Sequence, residues 1–173
     1  EAITPKELVE EINHCFGVFD EITTRYHIKK IKTIGDSYMA VGGDFSSKKC
    51  TPWHVVSAAL ELRDYMIKRK KERMIDGKFF FEMRVGVHTG HVISGVVGQK
   101  KFQFDIWGDT ENIAWRMESH GDIEQVNISE VTYDLIKDSF DFVQRSAIPV
   151  KGKGDMQMYF VTEKKEVLQA AEA

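Results

Sequence analysis

Apolar residues recur every three or four positions from Leu8 through Ile12, Phe16, Phe19 and Ile22 to Tyr26, which predicts a helix with one buried face. Thr4-Pro5-Lys6-Glu7 reads as its start, with Thr4 as N-cap, Pro5 at the first helical position and Glu7 closing a capping box. The pattern then changes. Lys30 to Gly43 places β-branched and apolar residues on either side of Gly35-Asp36, a strand–turn–strand signature with a carboxylate at its tip. By spacing alone Asp36 reads first as a turn former, because Asp tolerates turn geometry. Asp44 to Cys50 is polar and reads as a loop. Thr51-Pro52 opens a second helix carrying Val55, Val56, Ala59, Leu60, Met66 and Ile67. Its end is basic, from Lys68 to Arg73. A solvated helix end whose cations suit the helix dipole explains this run better than a phosphate patch.

From Phe79 the period becomes two. Phe79, Phe81, Met83, Val85 and Val87 alternate with Phe80, Glu82, Arg84, Gly86 and His88, which predicts one strand. Thr89-Gly90 is expected to turn it into a second strand over 91–97. His88 and His91 lie three apart without a third local ligand, so a structural role outweighs a metal site. Phe102, Phe104 and Ile106 predict a short strand. A helix follows, capped by Asp109 or Thr110, with Ile113, Ala114 and Met117 as its buried stripe. Asn112 and Arg116 share a face near its start. Val126 to Ile128 predicts a strand, Ser129 the cap of a brief helix through Ile136, and Phe140 to Val143 another strand. A glycine-interrupted loop, Lys151 to Asp155, leads to a strand through Met158, Tyr159 and Phe160. The domain is expected over 1–162, with a polar, helix-prone tail over 163–173. The order is α+β, an antiparallel sheet covered by helices.

Composition adds limits. A chain of 173 residues suits one domain with a sizeable core. The net charge of −3 provides no global basic field, so nucleic acid and anionic membranes are not the expected partners. Cys15 and Cys50 lack metal-type spacing, and a reduced, cytoplasmic setting is the simplest reading. No apolar run reaches bilayer-spanning length. The chain starts at Glu1 rather than Met, which reads as a processed or excised piece. A regulatory domain or membrane anchor upstream in the parent protein is left open.

Four stretches resemble the class III nucleotidyl cyclases, the adenylate and guanylate cyclase catalytic domain: KIKTIGDSYMAVGG (30–43), RVGVHTGHVISGVVG (84–98), FDIWGDTENIAWRMES (104–119) and PVKGKGDMQMYFV (149–161). They lie in the family's order, and the resemblance covers nearly the whole chain. It implies a ferredoxin-like cyclase fold and attack of a ribose 3′-hydroxyl on the α-phosphate of the same nucleotide, assisted by two Mg²⁺ or Mn²⁺ ions per site. By this resemblance Asp36 is one of two metal carboxylates. Arg116 stabilises charge around the α-phosphate and Asn112 orients the ribose. Lys151 contacts the terminal phosphates, with Lys153 as a second candidate.

Lys32 and Asp105 fall where the family's adenine readers carry Lys and Asp, and where guanine readers carry Glu and a small residue. The resemblance therefore implies an adenylate cyclase making the second messenger cyclic AMP from ATP. It also implies a head-to-tail homodimer with composite sites. A non-catalytic, nucleotide-binding regulatory module and a guanylate cyclase are the alternatives. The family's domain opens with a strand ending in the first metal aspartate, followed by a phosphate-binding turn. These residues contain neither, so this fragment alone is expected to have little activity and to expose unpaired sheet edges.

Overall fold

The computed structural model describes residues 3–43 and 49–166. Most of the polar 44–50 stretch thus lies outside the described residues. Helix α1 (Pro5–Arg25) begins with the expected capping box: Glu7 N–H donates to Thr4 Oγ1, and Thr4 N–H donates to the Glu7 carboxylate at 2.9 Å. Strands β1 (Lys29–Ile34) and β2 (Ser37–Val41) form the expected antiparallel hairpin. Gly35 sits at φ +59°, a left-handed conformation that an L side chain resists. The ladder slips between Lys30 and Lys32, so Ile31 forms a β-bulge and the following Lys32 is re-aimed. Helix α2 (Pro52–Ile75) starts at Thr51, whose backbone N–H donates to His54 Nδ1 at 3.1 Å. Cys15 and Phe19 of α1 pack on Met66 of α2, with Tyr38, Phe81 and Met83 around them.

The remaining elements are β3 (Val85–Val87), β4 (Ile93–Val97), β5 (Gln103–Trp107), α3 (Asp109–Ser119), β6 (Val126–Ser129), α4 (Glu130–Ile136), β7 (Phe140–Gln144), β8 (Ile148–Val150), β9 (Gly154–Met156) and β10 (Met158–Lys164). A four-stranded sheet runs in the order β3-β6-β10-β7. β10 is antiparallel to both its neighbours, as expected, but β3 and β6 are parallel. One face is closed by Val56, Ala59 and Leu60 of α2 and Ile136 of α4, packed on Val87, Val126, Ile128, Phe140 and Val161. Each fully buried aliphatic or aromatic side chain there contributes roughly 1.5–3 kcal/mol. The alternate side chains meet α3. Asn127 Nδ2 donates to Met117 O at 2.8 Å, and a Cβ on Gly86 would lie 2.1 Å from Glu118 N. Gly86 is therefore what lets α3 lie this close to the sheet.

Several expectations need correction. The strand expected from Phe79 begins only at Val85. Alternation set the facing of Phe81 and Met83 toward the α1–α2 core, but a strand also needs a ladder partner. Upstream of Val85 the link to the β6 side is Glu124 N–H donating to Met83 O. The next strand, β4, pairs with β5 and not with β3. Neither Asp109 nor Thr110 caps α3: Gly108 is the N-cap, at φ +130°, and Thr110 Oγ1 donates to His91 O at 2.6 Å. The glycine loop is the turn of a β8–β9 hairpin, which short strands and Pro149 concealed. β10 runs on to Lys164, so Glu163 and Lys164 are sheet residues. Arg63 supports a bulge there by donating to Thr162 O at 3.0 Å.

Candidate active site

The β-bulge at Ile31 turns Lys32 toward the β4–β5 hairpin, where it meets Asp105 although 73 residues separate them. Lys32 Nζ donates to Asp105 Oδ1 at 3.1 Å and Oδ2 at 3.0 Å. Ile106 N–H donates to Oδ1 at 2.8 Å. The Lys32 ammonium first, and the Ile106 amide second, hold the Asp105 carboxyl below the usual carboxylate range against a smaller desolvation cost. Lys32 and Asp105 keep 25% and 16% of their side chains exposed, so the pair is half-buried and still reaches solvent. Lys29 Nζ lies 4.0 Å from the Phe104 ring centre beside it.

Helix α3 follows directly from β5. Its buried stripe, Ile113 and Met117, joins Ile148, Val150, Met156 and Met158, so the β8–β9 hairpin is docked along the helix. Asn112 is exposed, and Arg116 lies one turn on. An Arg116 Nη2 hydrogen donates to Pro149 O at 2.8 Å, while its Nε–H is buried without a partner. An unpaired buried donor is a group poised for an acceptor. The hairpin turn carries Lys151 and Lys153 beside Gly152 and Gly154, at φ +78° and +75°. Lys153 pairs with Asp109 at 2.9 Å. Among the described residues Lys151 makes no ion pair and is exposed.

The structure therefore brings Lys32 to Asp105, and Arg116 to the lysine hairpin. No ion pair or hydrogen bond among the described residues ties Asp36 to either group. Asp36 stands exposed at the β1–β2 tip. Among the described residues no cluster of three or more His, Cys, Asp or Glu could cage a metal. Mg²⁺ retains several waters and is commonly held by one or two carboxylates plus substrate phosphates, so Asp36 fits as one such ligand.

His88 behaves structurally. Its Nδ1 lies 2.6 Å from Ser129 Oγ, and burial, reinforced by the Lys153 cation, pushes its pKa down to about 4. The basic run of α2 is occupied by carboxylates: Arg69 and Arg73 hold Glu11, and Lys70 holds Glu82 and Glu124. The Asp109–Lys153 link was not foreseen, because nothing local connects residues so far apart in sequence. Among the described residues no helix is long and apolar enough to cross a membrane.

This architecture matches a known class. A family model described as the adenylate and guanylate cyclase catalytic domain matches residues 1–163, and the chain belongs to that family. Guanylate cyclase 32E of Drosophila melanogaster is 36% identical over 94% of this chain, and an adenylate cyclase of Mycobacterium tuberculosis is 34% identical over 93%. The chain spans only 14% and 35% of those two proteins. The crystal structure of the guanylate cyclase domain of RhGC from Catenaria anguillulae in complex with GTP superposes with a TM-score of 0.81 at 31% identity. That match covers 94% of this chain and 87% of the other. The relatives divide between adenylate and guanylate cyclases, so the base must be argued from this chain's own residues.

Proposed function

We propose that this domain belongs to an adenylate cyclase that converts ATP to 3′,5′-cyclic AMP and pyrophosphate. The Lys32–Asp105 pair carries this reading. Adenine presents an acceptor at N1 and a donor at its 6-amino group. Lys32 Nζ can donate to the first, and Asp105 can accept from the second. Guanine reverses both, with a donor N1–H and an acceptor O6, and would leave a desolvated cation and carboxylate unpaired. The pair is satisfied before nucleotide arrives. Only a base offering both complementary groups compensates for its opening.

The other residues have separate tasks. Asn112, exposed on α3, orients the ribose. Arg116 gives its guanidinium to the α-phosphate oxygens as charge develops there, exchanging the Pro149 carbonyl for a stronger, charged acceptor. Lys151, free at its turn, contacts the terminal phosphates as a point charge. Asp36 is a ligand for Mg²⁺ or Mn²⁺. The ion, when bound, lowers the pKa of the 3′-hydroxyl and neutralises the phosphates. The sites are composite in a head-to-tail homodimer. Asp36 is exposed and, among the described residues, makes no hydrogen bond or ion pair with Arg116 or Lys151, which leaves it available to the site of a second copy.

Cyclic nucleotide formation from Mn²⁺·ATP and Mn²⁺·GTP, compared in the wild type and in Lys32→Glu/Asp105→Cys, tests the assignment. The expected result is ATP preference in the wild type, shifted about 10- to 100-fold toward GTP in the variant. An unchanged ATP/GTP ratio overturns it. So that a silent chain does not leave the question undecided, competitive binding of the two nucleotides is measured in parallel.

A further inference from the structure

The turn between β8 and β9 is closed by a backbone hydrogen bond, Lys153 N–H to Val150 O at 3.0 Å, and has open space around its glycines. Gly152 and Gly154 both adopt positive φ, and an added Cβ at either would meet nothing within 4 Å. The strands flanking it are three residues each. Apolar packing on Ile113 and Met117 fixes the base of the hairpin, but that contact lies at Ile148, Val150 and Met156, below the turn. At the tip, among the described residues, Lys153 Nζ lies 2.9 Å from Asp109 Oδ2 and ties the turn to the rest of the domain. Asp109 is the first residue of α3 and so has a fixed position. Lys151 lies across Gly152 from Lys153, two residues away on the same turn.

We propose that Asp109 is a positioning residue which, through Lys153, anchors the β8–β9 turn to the start of α3 and thereby sets where Lys151 projects. This gives separate roles to Lys151, which the resemblance assigns to the phosphates, and Lys153, its second candidate. Lys153 is the anchor, already neutralised by a carboxylate, and Lys151 is the cation left for phosphate. Arg116, about two turns along α3 from Asp109, donates to Pro149 O of the same hairpin. The helix thus carries both the arginine and, through Asp109, the lysine, and it sets the distance between them. The pair is half exposed, at 44% and 58%. Its direct contribution to stability is therefore small. Its effect is geometric, and small displacements of a positioned charge carry large functional costs.

The inference rests on the nucleotide reading above. The test is calorimetric binding of inorganic tripolyphosphate, with adenosine as a probe that lacks phosphate. The proteins are the wild type, Lys151→Ala, Asp109→Asn, both together, and the charge-swapped Asp109→Lys/Lys153→Asp. Tripolyphosphate affinity is expected to fall about five- to tenfold in Lys151→Ala and in Asp109→Asn. The two together should fall no further than Lys151→Ala alone, and the swap should recover most of the loss. Adenosine binding should not move.

Asp109→Asn without effect, or with a loss that adds to that of Lys151→Ala, overturns the positioning role alone. Lys151→Ala without effect, or a wild type that does not bind tripolyphosphate, overturns the phosphate reading of the turn and the positioning role with it. Thermal unfolding of each variant separates a displaced lysine from a damaged fold.

Discussion

Two carboxylates in this domain are each gripped by cations from a distant segment, and they have opposite characters. Glu11 of α1 is 4% exposed. It accepts from Arg69 Nε at 2.9 Å and Nη2 at 2.8 Å, and lies 2.9 Å from Arg73 Nη1. Two planar guanidinium groups fill its acceptor sites and fix the angle between α1 and α2. Asp105 is met by one flexible ammonium and one backbone amide, and its side chain stays partly exposed. Saturation by arginines makes a structural joint. A flexible lysine, satisfying its carboxylate at a partly exposed position, makes a pair that another donor and acceptor can open. Each carboxylate receives three contacts from nitrogen donors, so the difference lies in the donors and their exposure: two rigid guanidinium groups around a nearly dry Glu11, against one flexible ammonium and one amide at a more exposed Asp105.

Breaking the closed joint has the largest expected effect. Glu11→Gln leaves Arg69 and Arg73 facing a neutral group in a nearly dry interface, and should cost about 3 kcal/mol of unfolding free energy. Urea denaturation checks this, and the base preference of the surviving folded protein should not change. A cost below about 1 kcal/mol would place the cluster among ordinary surface pairs. The matching change in the open pair, Lys32→Ala, should cost less than about 1 kcal/mol by the same measurement, because the freed carboxylate keeps its amide donor and reaches water. Its loss should appear in discrimination between ATP and GTP. A Lys32→Ala variant as unstable as Glu11→Gln would remove the distinction drawn above.

Local signals carried much of the fold. Thr4, Pro5 and Glu7 announce α1, Gly35-Asp36 announces the first hairpin, and Ser129 announces α4, because caps and turns are chemistry within four residues. Alternation over 79–88 was legible as facing and not as pairing. Phe81 and Met83 do turn inward, yet whether a neighbouring backbone offers N–H and C=O groups depends on Val126, which lies about forty residues on. The same limit applies to the site. Spacing offered Asp36 as a turn residue and gave Asp105 no role beyond the short strand of Phe102, Phe104 and Ile106. Their selection, with Lys32, Asn112, Arg116 and Lys151, came from resemblance to a family. What no pattern held was contact between distant segments: the Ile31 bulge that aims Lys32, the Pro149 carbonyl that holds Arg116, and the Asp109–Lys153 tie.

The smallest expected effect sharpens the comparison through pH. Burial alone would raise the Glu11 pKa, but the Arg69 hydrogen bonds and the Arg69 and Arg73 charges outweigh it and leave the value lowered. A carboxyl whose native pKa is depressed binds fewer protons folded than unfolded, so its contribution is complete above the unfolded glutamate value of about 4.5. It is lost as pH falls from there through the lowered native value. Asp105 is depressed too, with its unfolded reference near 3.9, and the same sign applies in a slightly more acid window. The two differ in shielding: Glu11 is dry, while Asp105 exchanges its partner for water at little cost. Chemical denaturation between pH 3 and pH 6 should therefore show a fall in wild-type stability toward acid that is flattened by Glu11→Gln and only slightly altered by Asp105→Asn. Equal flattening by the two substitutions would mean that Asp105 is held as tightly as Glu11. The Lys32–Asp105 pair would then be closed to a base at neutral pH and would be a second structural joint.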